Sequence, residues 1–364
     1  MILTSSVLLI LSGCLWAWDY VDSNYLKPVD ADDHTPVVVD IESRSTVSTI
    51  ARILEENGII RNKSVFKYYV DLMGYGSKLK AGTYILNRQM SIYEIMEKLA
   101  RGEGKAKVMK FLVIEGMTIE AMAESLVQQK AIDSKDEFLS LCRDGDSFMK
   151  YAAISDIDTP ENENRKYLLE GYLFPATYEI YVDSSEETVI EKMLNKFTLV
   201  MKQEYIERAE QLNMTVDQVI TLASMIEREG KTSDFARISA VFHNRMNDEM
   251  RLESDATVQY ALGIRKLYLT DEEIKIDSPY NTYKIDGLPI GPICSPSQKA
   301  IEAALYPDET TMSEGYYYFA TKDPMSGELN FSKTLEEHEA AVEQYRPLWK
   351  AYDEGQYDEL NQQP

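Results

Sequence analysis

Two carboxylates stand one residue apart in Ala223–Gly230, ASMIEREG: Glu227 and Glu229. A carboxyl can give and take a proton, and which it does depends on how much water reaches it. The preceding residues decide that. In NMTVDQVITLASMIEREG, Thr215 followed by Gln218 has the pattern of a helix-starting capping box. Val216, Val219, Ile220, Ala223 and Ile226 then recur at the spacing of one helical face. At about 100° per residue, Glu227 falls within about 40° of Val216, Ile220 and Ala223, inside the apolar stripe. Glu229 lands about 140° from Val216, on the polar side or past the helix end. A carboxyl on an apolar face loses hydration, which raises its pKa and suits it to act as a general acid near neutral pH. The competing reading is a helix-end glutamate that turns to solvent or pairs with an arginine.

Composition narrows the chemistry. With 38 Lys and Arg against 61 Asp and Glu, the net charge of −23 excludes a nucleic-acid partner, which needs cationic neutralisation of phosphates. His34, His243 and His338 never form HExxH or HxxxH, and Cys14, Cys142 and Cys294 have no zinc spacing, so no metal is expected. A Cys142–Cys294 disulfide is not expected either. Neither GxSxG nor a Gly-rich phosphate loop occurs, and no cofactor is expected. The 24 tyrosines, against 3 tryptophans, suit a polar ligand such as a sugar or simply fill a core.

The elements that must position these groups follow from the pattern along the chain. MILTSSVLLILSGCLWAW, residues 1–18, reads as a membrane helix with tryptophans at the interface and the rest of the chain outside. Two alternatives stay open: the lipobox-like LSGC, which would acylate Cys14, and a cleaved signal peptide. Residues 19–36 form an acidic, Pro-punctuated linker. A strand–cap–helix theme then appears three times. VVVDIE leads to a helix from Thr46 to Glu56 stopped at Asn57-Gly58; LKAGTYIL leads to a Ser91-capped helix stopped at Gly102; VMKFLVIEGMTIEAMAESL opens the next domain. Residues 133–166 look polar and irregular, an insertion or lid, and residues 353–364 form a polar tail.

Several segments carry a resemblance in sequence order: LKAGTYIL, IEGMTIEAMAESL, LEGYLFPATYEI, LASMIEREG, VFHNRM, LESDATVQYALG, SPYNTYKIDGLPIGPICSPSQKAIEAALYP and YYYFATKD…LNFSKTLEEHEAAV. They resemble the YceG-like family of endolytic murein transglycosylases, enzymes that cut the glycan strands of peptidoglycan. The resemblance covers nearly the whole chain past residue 38. It implies an α+β fold: a membrane anchor (1–18), a small LysM-like strand–helix module (37–107), and a larger mixed α/β catalytic domain (108–352) outside the cytoplasm. Antiparallel strands and helices of the larger domain should frame a cleft under Glu227.

The resemblance also implies the reaction, cleavage between N-acetylmuramic acid and N-acetylglucosamine that leaves a 1,6-anhydro end, with Glu227 in the catalytic AS-x-x-E position. One carboxyl suffices for it. Glu227 protonates the leaving oxygen and then accepts the proton of the sugar's own 6-hydroxyl, while the 2-acetamido group can stabilise the intermediate. ESDATVQY offers Asp255 and Gln259, and SPYNTY offers Tyr280, Asn281, Thr282 and Tyr283, as groups that contact sugar hydroxyls, acetamides and ring faces. The plainer reading makes Asp255 a helix cap and YNTY a packed turn. Glu229 would orient the site or pair with Arg228 or Arg237, Glu170 would line the cleft, and GLPIGPICSP would form a rigid wall. Expected partners are peptidoglycan strands, the cell membrane, glycan-polymerising synthases, and divisome or elongasome proteins. The rivals are a muramidase that uses water, with Asp255 as second carboxylate, and a non-catalytic glycan-binding scaffold.

Overall fold

Short capping signals set most of the helix boundaries in the computed structural model, which describes residues 16, 18–42, 44–104, 108–181 and 184–356. Contacts divide the chain into two units: one runs to Met109 and includes Glu179–Ser184, the other holds Lys110–Tyr178 and the chain from Ser185 onward.

In the first unit, strand β1 (Val37–Ile41) pairs antiparallel with β2 (Gly82–Leu86), Val37 opposite Leu86 and Ile41 opposite Gly82. Helices α1 (Val47–Glu56) and α2 (Lys63–Leu72) lie between them in sequence, and α3 (Ile92–Arg101) follows. Thr46 caps α1, and Ser91 and Glu94 close a capping box on α3, which stops at Gly102 with φ +70°. Helix α2 has no counterpart in the sequence reading. Asn62 starts it by accepting from the N–H groups of Ser64 and Val65. Strand alternation turns Val39, Ile41, Tyr84 and Leu86 inward against Ile50, Leu54, Phe66 and Leu99. Leu26, at the end of a π-helical turn (Asp22–Leu26) in the stretch read as linker, joins that core. The anchor expected over 1–18, Cys14 included, lies outside the described residues apart from Trp16 and Trp18. Among the described residues no helix is long and apolar enough to cross a membrane.

Strand β3 (Val108–Leu112) stands at the division between the units. The second unit continues with α4 (Ile119–Gln128), α5 (Lys135–Asp144) and a short α6 (Ala152–Ser155). Next along the chain come β4 (Thr177–Tyr181), whose residues from Glu179 count with the first unit, α7 (Glu186–Val200), α8 (Gln203–Gln211), α9 (Val216–Glu229), α10 (Phe235–Asn247) and α11 (Asp255–Leu262). The chain closes with α12 (Gln298–Leu305), α13 (Glu309–Ser313), the antiparallel hairpin β5 (Tyr318–Asp323) and β6 (Glu328–Ser332), and α14 (Leu335–Asp353).

Helix α9 is the axis of this unit. Thr215 and Gln218 exchange both capping-box hydrogen bonds, and every residue from Val219 to Ile226 is buried. It is therefore enclosed on all sides, against α12 above all, rather than buried along one stripe. The irregular reading of residues 133–166 is corrected for Lys135–Asp144, which form α5. Ser134 caps α5, whose Phe138 and Cys142 are fully buried one turn apart, and Phe148 follows them into the core. The charged residues between these positions masked the helical period. Cys142 and Cys294 are both buried and free.

Candidate active site

Helix α9 ends where Gly230 takes an extended backbone, so Glu227 and Glu229 sit in its last turn. Two residues turn a helix through about 200°, and the two side chains accordingly meet different surroundings.

Glu227 is half-buried. Its Oε2 accepts the backbone N–H of Ser297 at 2.9 Å. Ser297 also caps α12, its hydroxyl accepting the Ala300 N–H. Beside Glu227 runs the turn Glu115–Gly116, with Gly116 in the left-handed region at φ +75°. A Cβ on Gly116 would lie 3.7 Å from the Glu227 Cγ, an ordinary contact, so conformation rather than space calls for glycine there. The turn is clamped. Gly116 N–H donates to the Ser295 carbonyl at 2.9 Å, Ser295 N–H donates to the Met117 carbonyl at 2.9 Å, and Arg228 Nη1 donates to the Gly116 carbonyl at 3.3 Å. The GLPIGPICSP loop is thus more than a wall. Ile293 N–H donates to the Ser224 hydroxyl of α9, Cys294 Sγ to the Ser224 carbonyl, and the residue just beyond holds the carboxyl. Burial raises the pKa of Glu227; hydrogen bonds from Ser297 oppose it, and the charge of Glu115 adds to it. The net direction is upward, toward the protonated acid. Sequence reasoning missed Glu115 and Ser297, although both lie in quoted segments, because their approach to Glu227 is made by chain segments far apart.

Glu229 faces the start of α11. The Ser254 hydroxyl donates to its Oε1. Burial drives its pKa up to about 7, the neighbouring charge of Asp255 adds to the rise, and hydrogen bonds from Ser254 and the Ala256 N–H oppose it. Neither expected arginine forms an ion pair with it: Arg228 binds the Gly116 carbonyl, and the Arg237 guanidinium lies 3.9 Å over the Phe331 ring. Asp255 is not the helix cap; Ser254 holds that position, and Asp255 is the first residue inside α11. Its Oδ1 accepts the Tyr283 hydroxyl at 2.6 Å, and burial raises its pKa.

Four expected contact residues are internal. Asn281 is fully buried; its Nδ2 donates to the carbonyls of Ile274 and Ile276 at 2.9 and 2.8 Å, and its Oδ1 accepts the Tyr283 N–H at 3.0 Å. The amide is spent on folding the loop. The Thr282 hydroxyl accepts from the Ser254 N–H and meets the Thr257 hydroxyl. Tyr280 packs edge-on against Tyr260 and accepts the Lys166 N–H. Glu170 does not line a cleft: both its oxygens accept the Ile119 N–H at the start of α4, and Tyr260 donates to one of them at 3.0 Å. Burial pushes its pKa up to about 7. Gln259, one turn beyond Asp255, makes no side-chain hydrogen bond among the described residues.

A cavity of about 730 Å³ opens beside Glu229, Asp255 and Tyr283, walled by β5 and α14. Glu227 is not among its lining residues. Strands and helices of the second unit thus frame a cavity beside Glu229. Among the described residues no cluster of His, Cys, Asp or Glu is suited to hold a metal ion.

Comparison with known proteins adds a family. A model described as the YceG-like family matches residues 39–344. A Bacillus subtilis (strain 168) protein named endolytic murein transglycosylase is 37% identical over 326 residues, covering 88% of each chain. One of the same name from Streptococcus pneumoniae (strain D39) is 32% identical over 356 residues, which span 93% of this chain and 63% of the relative. The crystal structure of a YceG-like protein from Listeria monocytogenes is 35% identical with a TM-score of 0.58, covering 84% of this chain and 98% of that one.

Proposed function

Since the chain belongs to the YceG-like family, we propose that it is an endolytic murein transglycosylase with Glu227 as its acid and base. The observation that carries this reading is the state of Glu227: a carboxyl withdrawn from water but half-exposed, its pKa raised, fixed on one oxygen by Ser297. Held protonated, it donates to the glycosidic oxygen as the bond breaks through an oxocarbenium-like transition state. Once ionised it is stabilised by the Ser297 N–H and accepts the proton of the attacking hydroxyl. With the sugar's 6-hydroxyl as that nucleophile, the product is a 1,6-anhydro-muramyl end and no second carboxylate is required.

A muramidase would need a water-activating partner. Asp255 is engaged with Tyr283 and groups with Glu229, whereas Glu115 is the carboxylate whose charge acts on Glu227. The deciding experiment is mass spectrometry of products from uncrosslinked peptidoglycan strands. Anhydro ends from wild type and none from Glu227→Gln are expected; reducing ends would make the enzyme a hydrolase.

The β–α–α–β order of β1, α1, α2 and β2 supports a LysM-like role for residues 37–107 in holding the strand. The apolar run at 1–18 supports anchoring by a membrane helix, or by a lipid on Cys14, with the catalytic unit outside the cytoplasm. Glycan-polymerising synthases and divisome or elongasome proteins are the partners this placement suggests. Fractionation with protease accessibility tests the placement: protection of the catalytic unit in intact protoplasts would exclude it.

A further inference from the structure

We propose that the exposed face of α2 in the first unit lies on the membrane surface, its apolar residues entering the headgroup layer and its lysines meeting anionic phospholipid. The inference rests on the anchoring reading above and extends it from the terminal segment to a folded surface.

Charge is divided unevenly along the chain. Residues 1–109 hold thirteen Asp and Glu against thirteen Lys and Arg, so the whole net charge of −23 lies beyond them. An anionic surface therefore repels the later part of the chain and not the earlier one. Residues 61–80 go further: Arg61, Lys63, Lys67, Lys78 and Lys80 stand against Asp71 alone. Some of these cations are engaged within the protein. Lys63 pairs with Glu55, Arg61 donates to the carbonyls of Lys27 and Val29, and Lys80 donates to the Arg101 carbonyl. Lys67 and Lys78 form no ion pair among the described residues, the Lys78 Nζ lying 4.8 Å from the centre of the Tyr75 ring.

An apolar ridge stands among these charges. Tyr68 and Leu72, one helical turn apart on α2, are 73% and 69% exposed, and Met73 follows at the helix end. Single apolar residues are ordinary on a surface, but a ridge rimmed by cations is the pattern of a helix that rests in a membrane interface. Leu72 and Met73 offer a sugar hydroxyl no hydrogen bond, which separates this face from one that binds glycan.

The N-terminal segment keeps this unit close to the bilayer. From Trp18 to Leu26 the chain is helical, an advance of only about 12 Å. Leu26 and Val21 pack into the core of the first unit, which Tyr69 of α2 also joins. With the exposed Trp18 at the interface that ends the apolar run, no long tether holds the unit away from the lipid.

The test reconstitutes the full-length protein into vesicles of two parts phosphatidylcholine to one part phosphatidylglycerol, with a trace of phospholipid that carries a photoactivatable diazirine near its headgroup. Mass spectrometry locates the labelled peptides. The peptide bearing Tyr68–Met73 should be labelled at least about fivefold above that bearing Leu199, which is 75% exposed in the acidic part of the chain. Lys67→Glu combined with Lys78→Glu, both at exposed positions, should remove most of that excess, and so should vesicles of phosphatidylcholine alone. Labelling of residues 1–18 should persist in each case, with thermal melts confirming the fold of the variant. Labelling confined to residues 1–18 would overturn the surface, leave the anchoring reading standing and give the face to a protein partner. Labelling of Tyr68–Met73 that neither change alters would overturn anionic lipid as its occupant. Failure of the wild type to float with the vesicles would instead remove the anchoring reading on which the inference rests.

Discussion

Glu227→Gln preserves the shape of the side chain and its acceptance of the Ser297 N–H, but removes the proton that must be given and retaken. Cleavage should fall by at least about 10²–10⁴-fold, the share usual for general acid–base catalysis, with an unchanged melting temperature. A matching loss of stability would mark the acid as structural. Glu115 tests the electrostatics separately. Its negative charge raises the Glu227 pKa, so Glu115→Gln should lower it, and the high-pH limb of the kcat profile should move to lower pH. Glu115→Asp should restore part of the shift; an unmoved limb would show that burial alone sets the acid. The residue-scale geometry was half legible. Periodicity pointed to Glu227 because a helix's angles are local, but Ser297 and Glu115 reach it through tertiary contacts that no spacing records.

Elements read from the sequence where their signals were local. The Thr215–Gln218 and Ser91–Glu94 boxes and the Gly102 stop lie within a few residues of what they control. Asn281 shows the opposite case. A polar, aromatic loop invites a ligand-binding reading, yet the amide bonds to Ile274, Ile276 and Tyr283 within its own loop. Asn281→Ala should leave two carbonyls and an N–H short of partners at a site with no exposure, at a cost of about 1–3 kcal/mol per group left unsatisfied. Urea denaturation measures that loss. A variant of native stability with impaired glycan binding would return Asn281 to the substrate.

Across the whole molecule, pH acts through buried acids. Glu170 has an ordinary value of 4.5 and is raised to about 7 in the folded state, with Glu229 raised to about 7 as well. Between those values the native protein binds more protons than the unfolded chain. Stability should therefore fall as pH rises from about 4.5 to about 7, then level off. Glu170→Gln should flatten part of that slope, so that the variant gains on wild type with rising pH by an amount on the order of 3 kcal/mol, less any weakened hydrogen bonding. Denaturation midpoints at a series of pH values decide it; parallel curves would place the Glu170 pKa at its ordinary value. Such behaviour was out of reach of composition. The net charge of −23 counts carboxylates without telling which have lost their water.

The last turn of α9 keeps Glu227 and Glu229 apart by a single intervening residue, Arg228. That spacing is an insulator: each carboxyl answers to its own neighbours, so natural variation can retune one without disturbing the other. Its length is also critical. One more helical residue between them would carry Glu229 on by about 100°, to within about 60° of Glu227, and fold two separate environments onto one. A substitution among the neighbours of one carboxyl should therefore shift that carboxyl alone, whereas a one-residue insertion at Arg228 should disturb both.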